Sequence, residues 1–534
     1  MTELHFPWLE LAILLPLVGA MVVAMIGSAE RARQWTLAIL GLSLLGTIAA
    51  WIDFERLRAV EAHDRWDVLH YLFGRDLLVM DEFSAPLLML VSLLGFLLVL
   101  GTLRTKVQRV SFGSLLLGQA LAQATFSAKE PWLLIGLMLT ALLPPWWELK
   151  GRNKPTGVYL FHMGLFAAFL VGGWWIVKAT TEGESLHYLG GALLVIAVLL
   201  RCGVAPLHCW ITDLFEHAAF GSAILFVAPM TGAYAAVRLV VPEAPDWSLK
   251  LLVWTSIFTS VYSAGMALVQ QEARRFFVYL FLSHASLVLV GLETATTEAL
   301  AGALSVWFAT SLSLAGFGLT LRSIESRFGR LSLTDYHGLY EHMPNLAVLF
   351  LLTGLASVGF PGTIGFISTE LLVDGVIHRY PWSGAVIVLA AALNGVAVLR
   401  VYFKLFTGPR HSTSIDLRSR PAERIAVLVL VAVMIGGGIF PQPFLASRYR
   451  AAEYLLGERA STHPQPMHSG EESKEREAED ERNESESELE ATTAERKNVK
   501  GIRLEAMSHS GGTDPGGEQL AKRPPRNRDA VDDH

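Results

Sequence analysis

Three stretches of this 534-residue sequence set ionisable side chains into apolar surroundings. Residues 199–217 read LLRCGVAPLHCWITDLFEH and place Arg201, His208, Asp213 and Glu216 between two hydrophobic runs. Residues 270–286 read QQEARRFFVYLFLSHAS and carry Glu272, Arg274, Arg275, Tyr279 and His284. Residues 359–375 read GFPGTIGFISTELLVDG, with Glu370 and Asp374 one helical turn apart. Imidazole titrates near neutrality and carboxylates give and take protons, so these groups can relay a proton. A guanidinium keeps its charge and can only hold an anion or repel a cation. Because an ionisable group at membrane depth is costly, its presence points by default to an ion or proton path. Each residue also has a plainer reading. His208 and His284 can serve as structural hydrogen-bonding histidines, and Arg274 and Arg275 as basic anchors at a membrane edge. A carboxylate directly after a helix break, as Glu370 is, has no such ready explanation. The two cysteines, Cys202 and Cys209, read as small packing residues, and form neither a disulfide framework nor a metal site. With no Gly-rich nucleotide loop and no cysteine cluster, no cofactor and no catalytic chemistry of the chain's own are expected.

The elements that must position these groups are membrane helices. Hydrophobic residues make up 52% of the chain and charged residues 17%. Apolar windows of a length that crosses about 30 Å of hydrocarbon as helix recur from Trp8 to Ile439. The expectation is an all-α, polytopic membrane protein of about fourteen transmembrane helices, in which the windows at 111–127 and 131–147 are the weakest. Gly203 and Pro206 interrupt the seventh helix, and Gly359, Pro361, Gly362 and Gly365 interrupt the twelfth. Non-helical backbone at that depth survives only against protein or water, and paired breaks in corresponding positions mark ion sites in transporters built from inverted repeats. Two breaks five helices apart suit two five-helix inverted repeats.

Loops after odd-numbered helices hold 17 Lys or Arg, against 8 after even-numbered ones, which places the odd loops in the cytoplasm. The organisation expected is two N-terminal helices with an acidic outer loop over 1–80, a conducting transmembrane domain over 81–445, and a charged tail over 446–534. Residues 471–490 hold eleven acidic residues, too polar to offset the entropy of ordering, so disorder is expected from roughly 455 onward.

These residues carry a family resemblance. The chain resembles the antiporter-like, proton-translocating membrane subunits of respiratory complex I and of multisubunit cation/proton antiporters. Arg201, Pro206, His208, Trp210 and Asp213 stand at the spacing of the family's broken seventh helix, where a lysine precedes Pro-x-His-x-Trp and an acid. Glu272, Arg274, Arg275, Tyr279 and His284 are similar to a second signature, and Pro361 and Gly362 to the Gly-x-Pro-Gly of the broken twelfth helix. The resemblance implies a midplane relay that starts at a fifth-helix glutamate paired with the seventh-helix lysine. This chain departs from it on both sides. Thr140 stands where the glutamate is expected, Arg201 replaces the lysine, and only Thr231 and Thr310 stand near the later relay positions. Glu148 lies about two turns beyond Thr140 at the cytoplasmic edge.

The resemblance therefore implies a proton-translocating subunit of a redox-driven NADH–quinone oxidoreductase-like complex. The alternatives are a membrane partner in a non-respiratory complex, such as inorganic-carbon uptake or cation/proton antiport, and a scaffold that no longer conducts. Partners implied are other membrane subunits, the lipid bilayer and a soluble cytoplasmic subunit, with no nucleic acid. The location implied is a bacterial-type inner membrane, crossed many times.

Overall fold

A helix satisfies every backbone N–H and C=O within its own segment, which is why apolar runs destined for lipid fold as helices. The computed structural model describes residues 2–66, 70–71, 74–181, 183–293, 296–409 and 418–462. In chain order these form β1 (Thr2–Leu4), α1 (Trp8–Ala24), α2 (Ala29–Leu57), β2 (Glu61–Asp64), β3 (Met80–Asp81) and α3 (Ser84–Leu100). A 3-10 turn at Arg104–Arg109 leads to α4 (Phe112–Ser127), α5 (Pro131–Thr140), α6 (Leu143–Gly151), α7 (Gly157–Ala179) and α8 (Ser185–Cys202). Then come α9 (Cys209–His217), α10 (Phe220–Val227) and α11 (Thr231–Ala235), which runs into a π-helical turn at Ala236–Val240. The remainder comprises α12 (Asp246–Val269), α13 (Ala273–Glu293), α14 (Thr297–Phe328), α15 (Pro344–Val358), α16 (Ile364–Ile377), α17 (Ser383–Phe406), α18 (Pro421–Ile439) and α19 (Gln442–Thr462). Among the described residues, ten helical segments are long and apolar enough to cross a membrane, and α1, α3 and α15 are shorter apolar helices.

Three expectations need correction. The chain is not purely helical: β1 pairs in parallel with β2, Thr2 opposite Ala62, and β2 pairs antiparallel with β3, Ala62 opposite Met80. Asp64 fixes this small sheet to α1 by accepting from the amides of Leu9 and Glu10 at 3.2 and 2.9 Å. The chain stays ordered past 446, because Arg448, Ala451 and Ala452 of α19 are buried and Phe444 packs on Phe308 of α14. Its polar sequence hides this from a hydropathy reading, since the anchors are ion pairs: Arg450 to Glu82 and Glu55, with Tyr454 donating to Glu61. Only the part of the expected disorder that falls on 455–462 can be compared, and it is helix; the acidic run lies outside the described residues. The expected window at 131–147 lies within one candidate span, Pro131–Gly151, but its helix is not continuous: it divides into α5 and α6, because Pro144 and Pro145 lack amide hydrogens and the chain bends at Ala141 and Leu142.

α13 and α14 are buried throughout their apolar spans and form the centre of the helical cluster. α14 is held against α16 by glycine. A Cβ on Gly302 would stand 2.6 Å from the backbone of Leu372, and one on Gly375 would stand 2.3 Å from the amide of Ala299. Such close backbone approach is the usual way membrane helices gain contact, since lipid supplies no hydrophobic drive between them.

Candidate functional site

The chain turns sharply between α8 and α9. Gly203 takes a left-handed φ of 67°, and a Cβ there would meet Ile211 at 2.4 Å, so glycine is required both by conformation and by space. The Ala205–Pro206 peptide is cis. The amide of Ala205, freed from helical bonding, donates to Thr259 Oγ1 at 3.0 Å, and Trp210 Nε1 donates to the carbonyl of Leu200 at 2.8 Å. Trp210 thus ties the two sides of the turn together.

The last turn of α8 carries Arg201, 5% exposed. Its Nη2 donates to Thr231 Oγ1 at 2.9 Å and to the carbonyl of Phe226 at 3.4 Å, and the guanidinium lies over the rings of Phe226 and Trp210 at 4.3 and 5.5 Å. No carboxylate of the described residues pairs with it. It borders a cavity of about 50 Å³, which reaches Glu148 and is lined also by Ala141 and Thr231. Thr140 does not line this cavity; it is exposed, and its Oγ1 donates to the carbonyl of Gly136. Ala141 therefore occupies the place from which a fifth-helix acid would face Arg201. Glu148, set aside on sequence grounds, is nearly buried. Its Oε1 accepts from the Ala219 amide, ahead of α10, at 2.7 Å and forms an ion pair with Arg152 Nε at 3.1 Å. The signal for it was its position as the sole carboxylate in a proline-interrupted helix.

His208 is buried against Tyr262 and Tyr279, ring centroids 5.6 and 5.8 Å away, and its Nδ1 has no hydrogen-bond partner among the described residues. Asp213 pairs with His217 at 3.1 Å through Oδ1, while its buried Oδ2 is unpartnered. Glu216 faces the membrane edge and pairs with Arg275 at 2.8 Å. Arg274 is more than a basic anchor. It grips Glu325 with a bidentate pair and donates from Nη1 to the carbonyls of Phe215 and Ala218, closing the C-terminal end of α9. Glu272 sits 3.8 Å from Arg330, in a β-bridge with Ser332.

Further into the centre, His284 is buried, with Nδ1 2.8 Å from the carbonyl of Leu280. Beside it Ser283 donates to the carbonyl of Ser260 and accepts from Asn394, both at 2.8 Å. Ser256, Ser260 and Ser263, in a row along one face of α12, and Ser305 of α14 present buried hydroxyls without protein partners among the described residues, as does the Asn394 Oδ1 atom. Hydroxyls with free lone pairs in a buried row suit ordered water better than packing.

The second break follows α15: Gly359 has φ 86° and Gly362 φ 87°, and α16 begins at Ile364. Here the expected proton carriers are not brought into the interior. Ser368, Leu372, Gly375 and Val376 form the buried face of α16, leaving Glu370 and Asp374 on its exposed face. The side chains that sequence reasoning overlooked are buried pairs: Arg238 with Asp81, and Arg327 with Glu423 at 2.6 Å. Among the described residues, no three His, Cys, Asp or Glu side chains converge as metal ligands would.

With the geometry set out, comparison with known proteins is informative. Residues 156–394 match the family described as NADH:quinone oxidoreductase/Mrp antiporter, transmembrane, a span that includes both interruptions and the central serine row. The NADH-quinone oxidoreductase subunit M of Pseudomonas aeruginosa is 24% identical over 85% of this chain and 99% of its own length. A chain of Thermus thermophilus respiratory complex I superposes with a TM-score of 0.73 at 22% identity, over 84% of this chain and 99% of that one. A chain of the Mrp complex from a Dietzia species also gives 0.73, at 17% identity, over 85% and 98%.

Proposed function

We propose that the chain is one of the antiporter-like, proton-translocating membrane subunits and that it moves protons as one subunit of a redox-driven NADH–quinone oxidoreductase-like complex. The observation that carries this reading is the burial of Arg201 and His208 on either side of the α8–α9 turn, in a chain that also buries His284 beside the Ser283–Asn394 pair. We read α8–α9 and α15–α16 as the broken seventh and twelfth of about fourteen spans in two inverted repeats. Residues 1–80 then form an N-terminal unit, 81–445 the conducting domain and the end of the chain a polar tail. The loops after odd-numbered spans face the cytoplasm of a bacterial-type cell. Water in the serine row carries the proton between His208 and His284, while Arg201 sets the potential at the entrance without itself giving up a proton.

Glu370 and Asp374 fit the same reading only as surface groups. A carboxylate left against lipid near the bilayer centre costs about 2.5–3.5 kcal/mol, so a neighbouring membrane subunit covers this face of α16. A soluble cytoplasmic subunit completes the assembly by supplying the redox chemistry.

The pairing at Arg201 favours a second reading for that one step, in which the subunit is a partner that has given up the entry switch. Proton uptake by the assembled complex in sealed vesicles separates the two. Arg201→Lys alone is expected to leave pumping unchanged, because Glu148, the acid that reaches the same cavity, is held by the Ala219 amide and Arg152. Ala141→Glu with Arg201→Lys is expected to raise it, because an uncommitted carboxylate then shares the cavity with a titratable amine. Proton uptake by the complex that is unchanged when His208 and His284 are both replaced by alanine would overturn the first reading.

A further inference from the structure

A groove of about 940 Å³ runs along the membrane edge between α1, α4 and α6. That lies near the top of the roughly 300–1,000 Å³ range of ligand clefts. Its wall is apolar, built of Met21, Ala24, Leu117 and Trp147, and two arginines, Arg109 and Arg152, stand at its head. Met21 is 60% and Trp147 47% exposed, so the groove opens sideways where lipid lies. Arg152 is already engaged, donating to the carbonyl of Arg109 at 2.7 Å and pairing with Glu148. Arg109 is exposed and has no carboxylate partner among the described residues. The first-turn residues Phe112, Gly113 and Ser114 of α4 line the same head, at the positive end of a helix whose N-cap residue, Ser111, makes no side-chain cap.

We propose that this groove binds one anionic phospholipid, with its phosphate at Arg109 and an acyl chain along Met21, Ala24 and Leu117. Charge complementarity selects the occupant. A neighbouring apolar helix would fill the wall but leave Arg109 and the first-turn amides without an anion. A zwitterionic lipid would bring a compensating cation to the same place. A basic pocket at the cytoplasmic edge of a helix cluster is the usual setting for an acidic headgroup. An interfacial tryptophan beside it is the usual depth marker. The groove shares Ser114 and Glu148 with the cavity beside Arg201, and the Glu148 carboxylate there is already held by Arg152 and the Ala219 amide; none of the α12 serines or the histidines lines it.

Native mass spectrometry of the full chain in detergent, titrated with phosphatidylglycerol, phosphatidylcholine of the same acyl chains, or inorganic phosphate, tests the assignment. One phosphatidylglycerol is expected to bind saturably, phosphatidylcholine to bind far more weakly, and phosphate not to displace the lipid. Arg109→Glu should weaken phosphatidylglycerol about 25-fold, since reversal changes the charge by two units and each is worth roughly fivefold. Arg31→Glu, at the start of α2 but outside the groove, should change it little. Ala24→Trp, which fills the wall from an exposed position, should abolish binding with Arg109 intact. Should that variant fail to insert, the Arg109→Glu comparison still decides. Equal binding of the two lipids, displacement by phosphate, no effect of Arg109→Glu, or cross-linking of the groove to a neighbouring subunit in the assembled complex would each overturn the proposal.

Discussion

The guanidinium of Arg201 is buried and held by a hydroxyl, a carbonyl and two aromatic faces, with no acid at hand. Desolvating a charge costs more than such partners return, and replacing buried charge by an apolar side chain of similar volume is often neutral or stabilising by about 1–4 kcal/mol. Arg201→Met is therefore expected to keep or raise the melting temperature and yield of the complex, measured by detergent thermal shift. A collapse in yield would mean that a carboxylate or anion partners Arg201 in the assembly. Glu148 should behave in the opposite way. It accepts the Ala219 amide and pairs with Arg152, so Glu148→Gln keeps shape but loses charge. Loss of a charge-assisted cap of this kind typically costs about 1 kcal/mol, read as a small drop in the same melting curve.

Helix packing is controlled by glycines whose neighbours cannot give way. Gly302→Ala would drive a methyl into the backbone of Leu372, and Gly375→Ala one into Ala299, so α16 must move off α14. Overpacking against backbone costs at least about 1–3 kcal/mol, and either change is expected to lower complex yield sharply. Gly265→Ala in α12 meets nothing within 4 Å and should be neutral or mildly stabilising, as alanine is the better helix former. The same elements show what sequence reading captures. The C-terminal limits of α12 and α18, Val269 and Ile439, fall where their apolar runs end, and helices stop at Cys202 and Val358 beside Gly203 and Gly359, because those signals are local. The facing of α16 is set by its neighbours. Ser368 and Gly375, seven residues apart, mark the buried stripe and turn Glu370 and Asp374 outward, a pattern that a search for charge alone passes over. Likewise the Arg201–Thr231 contact and the Glu148 cap join residues 30 and 71 positions apart, which no local pattern reports.

Across the whole molecule, α19 returns the end of the transmembrane region to its beginning. Its surface pairs are half exposed, and each is worth no more than about 1 kcal/mol, so Arg450→Ala should be nearly silent in assembly. Burial of Phe444, Arg448, Ala451 and Ala452 carries more, and a stop after Phe440 is expected to reduce insertion-competent protein on membrane fractionation. A stop after Thr462 should leave it unchanged. The same strap has a consequence in time. Arg450 reaches Glu55 across 395 positions of sequence. A polypeptide made from its N-terminus carries Glu55 and Glu82 long before Arg450 has left the ribosome, whereas Glu61 meets Lys129 much earlier. The contact that ties α19 to these two carboxylates therefore forms late in synthesis, after the helices it rests on.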